Sequence, residues 1–158
     1  MLIFNNSGLL VPANKIVSTW AELELEFATT IPSSTRKEVV ENYFKYSEDL
    51  KKVCDLDTLR QWVDGSFVTK KVNPGDIDFI SFIDRAIINQ FGSKLDDFKY
   101  PNAEKKYGVD AYIIEEFPEG HPKRAVFVHD MAYWINLFTK TRRIHGNRLS
   151  KGFLEVSF

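Results

Sequence analysis

The sequence predicts a compact α/β sandwich, a mixed β-sheet packed with helices, formed as a single domain over residues 1–158. Short apolar runs of strand length alternate with stretches of helical period, and no internal repeat, low-complexity segment or linker divides the chain. A length of 158 residues suits one domain with a proper core and is too short for two comfortable ones. Hydrophobic residues at 44% and aromatics at 14%, thirteen of them Phe, fit a folded rather than a disordered chain.

Residues 1–17 read as an extended N-terminal arm, because Gly8 and Pro12 interrupt any regular pattern. Thr19-Trp20-Ala21-Glu22 is a capping-box pattern opening a short helix through Phe27, and Thr35-Arg36-Lys37-Glu38 repeats the device for a longer one. In that second helix Val39, Val40, Tyr43, Phe44, Ser47, Leu50 and Cys54 fall on one stripe, which should pack on the sheet. Strands are expected at about 59–63, 77–83 and 109–116, with helical material at 84–91 and near 101–107 between the last two. After a loop containing Pro and Gly, residues 130–138 carry Met131, Trp134, Ile135, Leu137 and Phe138 at helical spacing, an aromatic stripe read as core rather than as a platform for stacking bases. Residues 153–158 alternate well enough for a final strand.

The chemically specific part is central. Trp62-Val63-Asp64-Gly65-Ser66-Phe67 ends one β-run in a Gly-Ser turn, and Pro74-Gly75-Asp76-Ile77-Asp78-Phe79-Ile80 opens the next with two carboxylates. Side chains at i and i+2 of a strand share a face, so Asp76 and Asp78 should stand together with Ile77 behind them. Two adjacent carboxylates repel, and a hard divalent cation removes the conflict while also holding substrate phosphate. Solvated carboxylates on a polar-out strand would be the plain alternative. The near-continuous run Ile77, Phe79, Ile80, Phe82, Ile83 argues against it, since it suggests a strand covered on both faces with the aspartates as the exception.

Gly-Ser, nine intervening residues, then Asp-hydrophobic-Asp resembles the polymerase-beta-type nucleotidyltransferase superfamily. The likeness is greatest to small bacterial members carrying Trp-x-Asp-Gly-Ser-Phe-Val-Thr and Pro-Gly-Asp-Ile-Asp, and Gly8-Leu9-Leu10-Val11-Pro12 and Lys151-Gly152-Phe153-Leu154-Glu155-Val156 look like that group's terminal motifs. One departure is Asp64, which stands where the wider superfamily has an apolar residue. The resemblance implies a nucleotidyltransferase-like fold, an NTP such as ATP as substrate, and Mg²⁺ or Mn²⁺. It implies that Gly65 and Ser66 cradle the β and γ phosphates, that Asp76 and Asp78 hold metal, and that Asp110 completes the metal site and helps deprotonate the acceptor. That acceptor is a hydroxyl of a protein, an RNA 3′ end or a small molecule. Lys70 and Lys71, in the loop between Ser66 and Asp76, are placed for an ammonium to reach the triphosphate, with solvated loop lysines as the equal alternative; Arg85 is a weaker candidate of the same kind.

A second class of function is a non-catalytic interaction module, half of a bacterial toxin-antitoxin or phage-defence pair, with a protein partner or a second copy supplying the missing surface. Three candidate carboxylates favour the enzyme. A metal-dependent nuclease using Asp76 or Asp78 with Glu104 and Lys106 ranks third, because Glu104 lies in a helix-like stretch.

Other chemistries find little support. The formal charge of -1 gives no global field for nucleic acid or an anionic membrane, so any RNA contact must be local. Lys140 to Lys151 holds five Lys or Arg and no acid and could track a nucleic-acid backbone, although a solvated loop is the preferred reading. No apolar run approaches the ~18 residues of a membrane span, and Met1 to Asn6 lacks the order of a signal peptide, so a cytoplasmic protein is expected. Cys54 is the only cysteine, which excludes an internal disulfide. His121, His129 and His145 lack zinc-hydrolase spacing, and neither P-loop, Rossmann nor Gly-x-Ser-x-Gly signatures occur.

Overall fold

A computed structural model describes residues 1–143 and 146–158. Its centre is a five-stranded mixed sheet built from β3 (Lys15–Thr19), β4 (Arg60–Asp64), β5 (Asp78–Asp84), β6 (Asp110–Glu116) and β7 (Phe153–Ser157) in the spatial order β3-β7-β4-β5-β6. β4 runs antiparallel to both β5 and β7, while β3 pairs parallel with β7 and β5 parallel with β6. A hairpin of β1 (Ile3–Phe4) and β2 (Leu10–Val11) stands apart from this sheet.

Period-2 alternation divides the strands between two cores. One face presents Val63, Phe79, Ile83, Ala111, Leu154 and Val156 to the large core, filled by Tyr43, Tyr46 and Leu50 of α2 (Arg36–Cys54). Trp62, Ile80, Phe82, Ile114 and Phe153 point to the other face, where Phe127 and Phe138 of α5 (Arg124–Phe138) join them in a smaller aromatic core. A buried network ties α2 to the sheet: the Tyr43 hydroxyl donates to Gln61 Oε1 at 2.6 Å and Gln61 Nε2 donates to Ser81 Oγ at 3.0 Å. The remaining helices, α1 (Trp20–Leu23), α3 (Arg85–Phe91) and α4 (Asn102–Tyr107), are short; a π-helical turn, Glu24–Thr29, extends α1.

Four expectations need correction. Residues 1–17 are not merely an arm, because Lys15–Thr19 forms the edge strand β3; its backbone pairs with β7 although Val17 stays exposed, so the hydrophobic pattern is faint. The second capping box does not close: the Thr35 hydroxyl donates instead to the Pro74 carbonyl, and Ser33 Oγ accepts from the amides of Thr35 and Arg36. On α2 it is Tyr46 that is buried, while Phe44 is exposed at the stripe's edge. Finally, α5 starts at Arg124, well before residue 130, and its stripe is only half a core. Phe138 is buried, but Ile135 and Leu137 are exposed and Met131 and Trp134 are half-buried. α5 therefore covers its face of the sheet incompletely. Among the described residues, no helix is long and apolar enough to cross a membrane.

Candidate active site

The incomplete cover leaves a cleft of about 860 Å³ between the sheet, α5 and the segment that follows it. Three carboxylates cross its floor in one row. Asp64 at the end of β4 is the register partner of Asp78 at the start of β5, and Asp78 is the register partner of Asp110 at the start of β6. Directly paired residues share a face, and this face is the one turned toward α5. Asp76 lies just ahead of β5 rather than within it, yet lines the same cleft, as do Gly65, Ser66 and Lys71.

Electrostatics register this crowding. Burial, followed by the charges of Asp76, Asp110 and Asp64, pushes the Asp78 carboxyl up to about 7. Burial also pushes Asp64 up to about 6, against the pull of the Lys151 ammonium with which it forms a buried ion pair. Asp110 Oδ1 is buried without a hydrogen-bond partner. Among the described residues, no three His, Cys, Asp or Glu side chains are already gathered closely enough to form a ligand cage. The carboxylates share a cleft but do not converge on a preformed metal-binding point. Mg²⁺ ordinarily takes only one or two carboxylates and completes its shell with water and phosphate, so hard oxygen donors and an orphaned Asp110 oxygen fit such an ion.

The raised carboxyl predicts a pH dependence whose sign is fixed. Folded Asp78 keeps its proton between about pH 4 and 7, where the unfolded chain has lost it, so this contribution to stability falls as pH rises through that window. The metal-free protein should be less stable at pH 8 than at pH 5 by about 1–3 kcal/mol, after discounting for partial solvation. Asp78→Asn should flatten the profile and stabilise the protein at pH 8. Urea midpoints at the two pH values test this, and a profile that rises with pH in the wild type would refute it.

The turn between β4 and β5 is held tightly. Gly65 has φ +82°, and a Cβ there would fall on Asp78 Oδ2, so only glycine lets the turn pack directly on the carboxylate. Behind the loop, the fully buried Arg36 guanidinium donates to the carbonyls of Phe27 at 3.0 Å, Phe67 at 2.7 Å, Thr69 at 2.7 Å and Lys71 at 2.5 Å. Burial lowers it only to about 10, so it remains charged at neutral pH. Thr69 Oγ1 adds a bond to the Ser66 carbonyl at 2.7 Å.

Other sequence candidates fall away from the cleft. Lys70 is turned outward, paired with Glu26 and lying 4.1 Å from the centroid of Phe4, because the Lys70 amide is fixed to the Gly8 carbonyl. Arg85 pairs with Glu115 at the opposite end of β5 and β6. Lys106 pairs with Asp97, and its helix α4 packs Ala103 and Tyr107 into the large core on the other face, so the nuclease constellation does not assemble. His121 stacks on Phe117 and His129 is exposed; His145 lies outside the described residues. Of the basic segment, Lys140, Arg142, Arg148 and Lys151 line the cleft, with Arg142 Nη2 3.7 Å from Asp78 Oδ1, while residues 144–145 lie outside the described residues. Cys54 is buried in the large core, as expected.

Fold and site thus define an α/β protein with a five-stranded mixed sheet and an acidic, partly basic-rimmed cleft at one end of three adjacent strands. Residues 2–157 match DUF6932, described as a family of unknown function, and the chain belongs to that family. Comparison with curated proteins and with solved structures finds no match in either.

Proposed function

We propose that this chain has a nucleotidyltransferase-like fold and acts as a metal-dependent nucleotidyltransferase, moving a nucleoside monophosphate from an NTP to a hydroxyl. The observation that carries the reading is the in-register row Asp64, Asp78 and Asp110 beside the Gly65-Ser66 turn in one cleft. Asp76, Asp78 and Asp110 would hold the metal, and bound Mg²⁺ or Mn²⁺ would neutralise phosphate and carboxylate charge together. Gly65 and Ser66 bind and orient the triphosphate, helped by Lys71. Asp110 Oδ1 accepts the proton of the acceptor hydroxyl as its oxygen bonds to the α-phosphorus. The bond from that phosphorus to the bridging oxygen breaks, and pyrophosphate leaves with the electron pair. Catalysis of this kind is chiefly positioning and charge stabilisation, which suits a loop pinned from behind by Arg36.

Calorimetric titration with each NTP, with and without Mg²⁺, tests the proposal. Affinity should depend on the metal and should fall roughly tenfold or more in Asp76→Asn and Asp78→Asn. Equal, metal-independent affinity in the wild type and both variants would remove it. An interaction module is the second reading, favoured by α5, which exposes Val126 (51%), Val128 (50%) and Tyr133 (58%). In that case a protein partner or a second copy covers this helix and no NTP binds.

A further inference from the structure

The cleft has an apolar end as well as an acidic one. From the carboxylate row, one i to i+2 step along β6 leads from Asp110 to Tyr112, on the same face and about 7 Å away. The Tyr112 ring meets Trp134 of α5 with centroids 4.9 Å apart at 50°, and Trp134 meets Tyr133 at 5.5 Å. All three side chains line the cleft; Tyr112 also stacks on Tyr100 at 5.8 Å and 19°, and Trp134 packs on Phe138 at 5.2 Å, yet both stay half-buried, which leaves part of each ring open to the cleft. The expectation that this stripe is wholly core therefore fails where it borders the site.

Resting on the nucleotidyltransferase reading, we propose that Tyr112 and Trp134 form the nucleobase subsite, stacking the base of an NTP whose phosphates lie at Gly65 and Ser66. The two ends of one cleft ask for a ligand that is anionic at one end and planar and apolar at the other. One strand step separates Tyr112 from Asp110, beside which the α-phosphate would lie, a span comparable to the ribose between α-phosphate and base. Stacking recognises any base, because each has a π-face; the subsite accordingly selects nucleotides over bare polyphosphate rather than one base over another. The grip on the base would thus come from α5 and β6 together.

The experiment compares ATP, GTP, CTP and UTP with inorganic tripolyphosphate, all with Mg²⁺, on the wild type and on Trp134→Leu. In the wild type nucleotides should bind roughly 5- to 150-fold tighter than tripolyphosphate, the range for one stacked base. Trp134→Leu should erase that advantage and leave tripolyphosphate affinity unchanged. Should the variant fail to fold, tryptophan emission of the unsubstituted protein decides: NTP should quench it and tripolyphosphate should not. Equal affinity of nucleotide and tripolyphosphate in the wild type, or equal weakening of both in the variant, would overturn the subsite while leaving the phosphate site standing. Binding of neither would remove the nucleotide reading and the subsite with it.

Discussion

Arg36→Met should lower folding stability by about 3–5 kcal/mol, enough to unfold much of the protein if its total stability is ordinary. Methionine keeps most of the side-chain volume, so the loss isolates the guanidinium rather than a cavity. Four carbonyls, those of Phe27, Phe67, Thr69 and Lys71, lose their donor inside the protein. A buried acceptor left unpaired costs about 1–3 kcal/mol, and relaxation of an adjoining loop recovers part of the sum. Arg36→Lys should rescue little, because a single ammonium cannot reproduce a planar fork reaching carbonyls on two sides. Equilibrium urea denaturation of the two variants measures this, and a loss below about 1 kcal/mol would show that the loop carbonyls find water instead. The consequence for the site is separate: in Mg²⁺ and subdenaturing conditions the Arg36→Met loop should also bind triphosphate more weakly, since its turn is no longer pinned.

Arg36 also shows where sequence reading stops short. The α2 stripe of Val39, Val40, Tyr43, Ser47, Leu50 and Cys54 extends one turn back to Arg36 with the same spacing, so its burial was legible. A charged residue there also fits the first turn of a capping box, and that local pattern masks its burial. The strands at 59–63, 77–83 and 109–116 are legible because each is a short apolar run bounded by turn residues, and the last two runs put Asp78 and Asp110 near strand starts. Their alignment across the sheet was not visible, since register depends on pairings between segments about thirty residues apart. Asp64 was seen only as a departure from a motif; its role as the first member of the row, and its neutralisation by Lys151 from the far end of the chain, come from β4 lying between β5 and β7. Lys70 misled for the opposite reason. Loop position alone does not say which way a side chain turns, and Glu26 and Phe4 draw this one outward. For α5, helical period correctly found the helix but not how much of it the sheet would cover, because its apolar residues run nearly all round.

If the chain transfers nucleotides as proposed, Asp110→Ala should slow transfer by about 10²- to 10⁴-fold while leaving most NTP affinity intact, whereas Asp78→Ala should lose both. Asp78 sits in the middle of the row, where its carboxylate faces three others and packs directly against Gly65, so its loss would disturb the proposed metal site and the Gly65-Ser66 turn together. Asp110 occupies the end of the row nearest the aromatic wall. Its Oδ1 is buried and accepts no hydrogen bond, so it can take a proton without breaking an existing contact. An interaction confined to the transition state lowers turnover without weakening ground-state binding, and removal of a general base costs about 10²- to 10⁴-fold in rate. Pyrophosphate release measured beside calorimetric NTP titration separates the two effects for each variant. Transfer by Asp110→Ala at the wild-type rate would exclude Asp110 as the base. Glu115 and Glu116 could not then replace it, because they lie at the far end of β6, paired with Arg85 and Arg60. The remaining candidate would be Asp76, the cleft's other carboxylate that lies outside the row and makes no ion pair among the described residues.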